Sequence, residues 1–282
     1  MASDRSAAYP LPYTTYRQAI ERETARLAEV VRGVDPATPV PSCPGWTVAD
    51  LTRHVGSLQR WFSALLSRLV QEPPRSREVE LGLPDSAVEY PGWVEAGIPR
   101  VAAVLEATDP LAPMWAWGAD QHARFWARRM LFETLVHRVD AELTTGHASP
   151  LDPELAADGV DEFLVNLPHA HLFAPAVAEL KGDGETIVFQ CAGAASGGGD
   201  AAATGPDTGA EWSVRLDADG FRLLDRAVAA AGTVPPDART TVRGQAADLL
   251  LLLYGRRSYQ DSAFEVTGPH ETLDRWFAHT AF

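Results

Sequence analysis

The stretch Phe132-Glu133-Thr134-Leu135-Val136-His137-Arg138, inside the strongly helical run from Phe125 to Leu143, decides the reading of this chain. Four residues turn a helix through about 400°, so Glu133 and His137 project from one face with their Cβ atoms about 6 Å apart. A carboxylate and an imidazole so placed can share one cation. Two ligands do not complete a site, because a catalytic zinc normally takes three protein ligands and keeps a fourth position open. His54 is the available third donor. Thr47 and Asp50 form a capping-box-like start and apolar residues follow at helical spacing, so His54 too should stand on a helix. The same spacing also suits an ordinary surface pair, and a lone helical histidine is commonly a satisfied core residue; spacing by itself leaves these readings open.

Outward from that stretch, Tyr13 to Arg32 carries Tyr16, Ile20, Leu27 and Val31 among charges and reads as an amphipathic first helix ended at Gly33. Thr47 to about Val70 makes the second, with Leu51, Val55, Leu58, Phe62, Leu65 and Leu69 at three- and four-residue steps until Pro73-Pro74 stop it. A polar connection precedes a third helix from about Val94 to Ala107, bounded by Pro110 and Pro113. The fourth runs from about Ala119 to Thr144, with Gly146 beyond its end. Four helices around a common seam predict a bundle over residues 1–150, and bundle cores are where facing helices present metal ligands inward.

After Pro150 the pattern changes. Asp152-Pro153-Glu154 opens a helix toward Asn166, and Pro168 to Leu180 reads as a further helical segment. Glu185 to Gln190, Glu211 to Leu216 and Gly220 to Leu224 read as strands, the last two joined by the turn Asp217-Ala218-Asp219-Gly220. Thr240 to Arg243 and Phe264 to Val266 are two more, with helices from Gly244 to Tyr254 and from His270 to Ala278. Strands gathered with helices between some of them predict a smaller α+β domain over residues 151–282. Gly193 to Ala210, rich in Gly, Ala, Ser and Thr, is expected to be a mobile loop within it. Its Gly197-Gly198-Gly199 lacks the strand-to-helix setting and the Lys of a phosphate cradle.

Length and composition agree with two packed units: 282 residues, 46% hydrophobic and 22% charged. A formal charge of -14 argues against a nucleic-acid partner, which clustered Lys and Arg would have to neutralise. The apolar run Ala246 to Tyr254 falls far short of the roughly 20 residues that cross a bilayer, and Met1 to Ser6 lacks the basic start and apolar core of a signal peptide. A cytoplasmic protein without a membrane partner is the expectation. Only Cys43 and Cys191 are present, which rules out a disulfide framework or a multi-cysteine zinc knuckle. Cys43 reads as a small packed residue beside Trp46 in preference to a nucleophile, and its position just before the helix of His54 leaves a functional role open. Lys181, the only lysine, sits in a turn-like setting unsuited to a P-loop or a Schiff base.

His169 and His171 would diverge by about 200° on a helix, which argues against a second metal site there. His122, His147, His270 and His279 show no partner pattern. Arg128, Arg129 and Arg138 are available to substrate carboxylates, with pairing to Asp140 or to another helix the expected role of at least two of them.

The stretch Val40 to Val55, containing Cys43-Pro44-Gly45-Trp46-Thr47 ahead of Asp50 and His54, resembles the start of the second helix of the mycothiol-dependent maleylpyruvate isomerase family. Phe125 to Glu142 looks like that family's fourth-helix motif, and Val242 to Arg256 is similar to its C-terminal-domain helix. The three fall in the family's order and span most of the chain. The resemblance implies a DinB-like bundle in which His54, Glu133 and His137 are metal ligands. Two imidazoles and a carboxylate suit zinc, although other divalent ions fit the same set. It further implies mycothiol as an external thiol, whose thiolate adds to the cis double bond of maleylpyruvate so that rotation and elimination give fumarylpyruvate. Transfer of mycothiol to another electrophile and non-catalytic, metal-dependent binding of a small ligand are the alternatives. Members often carry His just before the ligand Glu; Phe132 stands there in this chain, which puts the pocket and the choice of substrate in question.

Overall fold

Tyr16, Ile20, Leu27 and Val31 recur along one side of the first helix, α1 (Tyr13–Val31), and all four are buried. The computed structural model describes residues 11–73, 79–148, 150–192, 210–224 and 238–280. Helix α2 (Val48–Arg68) begins at the expected capping box, in which Thr47 and Asp50 bond each other reciprocally. It ends one turn before Pro73, at Leu69, whose left-handed backbone sends its N–H back to the carbonyls of Leu65 and Leu66.

The single third helix expected from about Val94 is instead two, α3 (Tyr90–Glu95) and α4 (Ile98–Ala107). A helix continued through this point would press the Pro99 ring against the carbonyl of Glu95, and Pro99 has no N–H to donate. The chain turns at Gly97 and restarts with Pro99 in the first turn of α4. Helix α5 (Ala123–Thr145) begins later than its apolar pattern suggests, because the residues before it are spent on a loop. There the Gln121 amide bonds the N–H and C=O of Ala116 and the C=O of Gly118. Gly146 closes α5 in a left-handed conformation.

Helix α1 lies along α5, α2 packs on α5 and on α3 and α4, and those two return to α1, which closes the bundle. Leu27, Val31, Val48, Leu51, Val55 and Val94 meet in its core. Gly56 lets α3 approach α2 closely, since a methyl at this position would run into the Trp93 ring. Arg60 covers the other side of this contact, its guanidinium 3.9 Å from the Trp93 ring centroid and hydrogen-bonded to the Trp93 carbonyl.

The chain divides into two units, Met1–Ser149 and Pro150–Phe282. In the second, Asp152 caps α6 (Pro153–Asn166) by accepting from the N–H groups of Glu154 and Leu155. The segment expected as helix from Pro168 to Leu180 forms two short 3-10 turns, Leu167–Leu172 and Pro175–Glu179, because a second proline interrupts it. Five strands follow: β1 (Thr186–Cys191), β2 (Glu211–Asp217), β3 (Gly220–Leu223), β4 (Arg239–Gly244) and β5 (Glu265–Thr267). They form one sheet in the order β3-β2-β1-β4-β5, with β1 and β4 parallel and the other pairs antiparallel. Central β1 is buried on both faces, which explains its continuous apolar run. Helix α7 (Ala246–Leu253) packs on α6, and α8 (His270–Thr280) closes the chain against β4. The expected loop Gly193 to Ala210 lies outside the described residues but for Ala210. Among the described residues no helix is long and apolar enough to cross a membrane.

Candidate metal centre

The capping box fixes where His54 leaves α2. Thr47 N–H donates to Asp50 Oδ2 at 3.1 Å and Asp50 N–H donates to Thr47 Oγ1 at 3.3 Å. The bonds from the Thr47 hydroxyl and backbone also hold the Asp50 carboxyl below its ordinary value. Immediately before it, the chain folds into a tight turn closed by Val40 N–H to Trp46 C=O at 2.9 Å and Trp46 N–H to Cys43 C=O at 3.0 Å. Gly45 takes a φ of 84° in this turn, a conformation that a side chain resists. The turn delivers Ser42, Cys43 and Trp46 to the face of α5 that carries Glu133 and His137.

His54 Nε2 lies 3.1 Å from Glu133 Oε1, and His137 Nε2 lies 3.5 Å from the same oxygen. The ligand atoms of the three residues all fall within 4.8 Å of one another. Ligands about 2.0–2.1 Å from a tetrahedral zinc stand roughly 3.4 Å apart, so this donor set fits one ion with little rearrangement. The side chains of His54 and Glu133 are 31% and 24% exposed, which leaves the group open to a ligand from solution.

The surroundings orient each donor. Asp140, fully buried, accepts from His137 Nδ1 at 2.8 Å, from the Ser42 hydroxyl at 2.6 Å and from the Cys43 thiol at 3.2 Å. An ionised carboxylate only accepts, so Nδ1 carries a proton and Nε2 is the nitrogen that faces Glu133. On the other side, Arg129 donates to Glu133 Oε2 at 2.5 Å, which leaves Oε1 toward the histidines. Trp46 packs over both imidazoles, with ring centroids 4.9 Å from His54 and 5.7 Å from His137.

These contacts set the electrostatics. Burial alone would push the Glu133 carboxyl up, but the Arg129 charge and the hydrogen bonds from His137 and His54 hold it well below the usual carboxylate range. Burial opposes a charge on His137; hydrogen bonds with Asp140, Cys43 and Glu133 outweigh it and hold the imidazole well above its ordinary value. The carboxylates around His137 thus favour positive charge on its ring.

Cys43, His137 and Asp140 form a second group of metal-ligating atoms. All three are buried, and Asp140 is already engaged by three donors. This group orients His137, whereas the first faces solvent. His169 and His171 belong to neither group. A cleft of about 410 Å³ lined by residues including Val31, Val34, Val48, Thr52 and Val88 contains none of the three candidate ligands.

The three expected ligands stand together, and beside them stand Asp140 and Arg129, whose supporting contacts the sequence did not single out. Asp140 follows His137 by three residues and Arg129 precedes Glu133 by four, spacings that place each on its partner's face. Asp140 accepts from His137, Ser42 and Cys43, and Arg138 pairs with another helix, as expected, through Glu23 on α1 at 2.8 Å, and with Glu142 at 2.7 Å. Cys43 is packed in the core, as expected, and also touches the site through Asp140. Phe132 is fully buried in the bundle.

The mycothiol maleylpyruvate isomerase N-terminal domain matches residues 17–142, and the MDMPI C-terminal domain matches residues 154–275. The fold is similar to the crystal structure of the mycothiol-dependent maleylpyruvate isomerase, with a TM-score of 0.55 and 14% identity over 91% of this chain and 93% of that one. A histidine-to-alanine mutant of the mycothiol-dependent maleylpyruvate isomerase gives a TM-score of 0.54 with the same identity and coverage. No curated protein matches the sequence.

Proposed function

Because the chain belongs to the mycothiol maleylpyruvate isomerase family, we propose that it is an enzyme that uses mycothiol and one divalent ion, zinc in the first instance, to isomerise a cis-configured electrophile of the maleylpyruvate type. The observation that carries this reading is the convergence of His54, Glu133 and His137 on one point, with Asp140 fixing the far nitrogen of His137.

When bound, the ion would acidify a thiol placed beside it and so supply thiolate near neutral pH. The protein's residues do the rest. His54 and His137 would each offer a ring nitrogen, Glu133 would offer one carboxylate oxygen, and Arg129 occupies its other oxygen so that the carboxylate keeps one direction. Asp140 holds the His137 ring in one tautomer and one orientation. Trp46 packs against both imidazoles and limits their rotation. In the reaction, thiolate adds to the cis double bond, the single bond so formed rotates, and elimination returns the thiol with the trans product. No protein cysteine is needed as a nucleophile. Both cysteines are buried, and the Cys43 thiol is committed to Asp140 and His137, where it supports the histidine from behind.

The test is the fate of the thiol. With maleylpyruvate and mycothiol, isomerisation gives fumarylpyruvate with the thiol titre unchanged. A stable thioether would identify a mycothiol transferase, and neither product would identify a binding protein. Replacing Cys43 with Ser and Cys191 with Ala together should leave thiol-dependent turnover intact; turnover that needs no added thiol but does need Cys43 would overturn the external-thiol mechanism. Asp140→Asn, which keeps the shape but removes the charge behind His137, should weaken zinc binding by about 10–100-fold, as read by competition with a chromophoric chelator. Unchanged affinity would mean that His137 needs no such support.

A further inference from the structure

The faces of α2 and α5 that carry His54 and Glu133 continue beyond the metal group. Trp61 follows His54 by seven residues and Trp126 precedes Glu133 by seven. Each indole therefore leaves its helix within about 20° of the ligand's direction and about 10.5 Å along the axis. The helices meet again there, with the Trp61 and Trp126 ring centroids 5.3 Å apart. Trp115, from the loop before α5, completes the cluster at 5.4 Å from Trp126 and 6.4 Å from Trp61.

Trp126 is buried, but Trp61 and Trp115 are only half-buried, as is Leu58 between the cluster and His54. The main chain of Trp115 is held at both its N–H and its C=O. Trp115 N–H donates to the Val70 carbonyl at 2.7 Å, its own carbonyl accepts from Trp126 Nε1 at 2.8 Å, and Gln121 clamps the next residue at both its N–H and its C=O. A fixed aromatic surface loses little freedom when another ring settles on it, and it offers large contact area.

We propose that Trp61 and Trp115, backed by the buried Trp126, form the specificity surface of this site and hold an aromatic end of the electrophile while its reactive end lies at His54, Glu133 and His137. An acyclic keto-diacid such as maleylpyruvate presents no ring to this surface, so among cis-configured electrophiles the site would favour a larger, aryl-bearing unsaturated carbonyl compound. The inference rests on the reading of the site as one that handles an electrophile, and its test involves neither thiol nor turnover, so either can fail without the other.

Calorimetric titration of the zinc-supplemented protein with 4-phenylbutanoate and with butanoate compares the same carboxylate with and without a ring. The phenyl acid should bind at least about tenfold more tightly. Trp61→Ala should abolish that preference and Trp61→Phe should restore most of it, with circular dichroism and zinc content unchanged in both. Equal binding of the two acids, or a preference untouched by Trp61→Ala, would overturn the proposal. So would finding that Trp61→Ala weakens mycothiol binding and leaves phenylbutanoate unaffected, since the surface would then serve the thiol.

Discussion

Zinc should bind the Glu133→Ala protein at least about a hundredfold more weakly than the unaltered chain, and thiol-dependent turnover should fall with it. Loss of a mere supporting group around a metal ligand weakens binding by about 10–100-fold, and removal of a ligand removes more. Glu133 is also the oxygen shared by both histidines, at 3.1 and 3.5 Å. Without it the Arg129 guanidinium, now 2.5 Å from Glu133 Oε2, would face the two imidazoles with no carboxylate between and repel an incoming cation. Competition with a chromophoric chelator measures the loss, and an affinity within tenfold of the parent would mean that Glu133 is not a ligand.

Arg138→Met should destabilise the bundle by about 3–5 kcal/mol, because it leaves a buried carboxylate short of its partner. Arg138 bonds Glu23 on α1 and Glu142 one turn along α5, and the Arg138 and Glu142 side chains are 4% and 2% exposed. Arg26 also reaches Glu142, at 3.1 Å, so this carboxylate links the two longest-packed helices. A double variant, Arg138→Met with Glu142→Leu, should recover much of the loss, since apolar groups of similar volume tolerate burial that a lone charge does not. Urea unfolding followed by helical circular dichroism reads both. A single variant within about 1 kcal/mol of the parent would show that the pair is as weak as an exposed one.

What the sequence disclosed follows the range of the interactions. Helix faces were legible because burial imposes a local period: Tyr16, Ile20, Leu27 and Val31 announce α1, and Thr47 with Asp50 announces the start of α2. The break between α3 and α4 was legible in principle at Pro99, but the apolar residues on both sides concealed it. The β2–β3 hairpin was visible through its turn, whereas the parallel pairing of β1 with β4 was not, since no local signal specifies a partner so far along the chain. At the site, Glu133 and His137 stood out by spacing and His54 by its place on a capped helix, and the resemblance to the family joined the three as a ligand set. Their supports did not stand out. Asp140 and Arg129 look like any charged residues on a helix, and only the approach of the Ser42-Cys43 turn shows that Asp140 is enclosed and committed to His137.

Two donor groups share His137, one through each ring nitrogen, and they differ in sulfur. Zinc K-edge X-ray absorption on the zinc-loaded protein, with no thiol added, distinguishes them. An ion at His54, Glu133 and His137 gives nitrogen and oxygen neighbours alone, at about 2.0–2.1 Å, with the scattering of two imidazoles. A sulfur neighbour at about 2.3 Å would place the ion at Cys43, His137 and Asp140 and contradict the open, thiol-accepting centre.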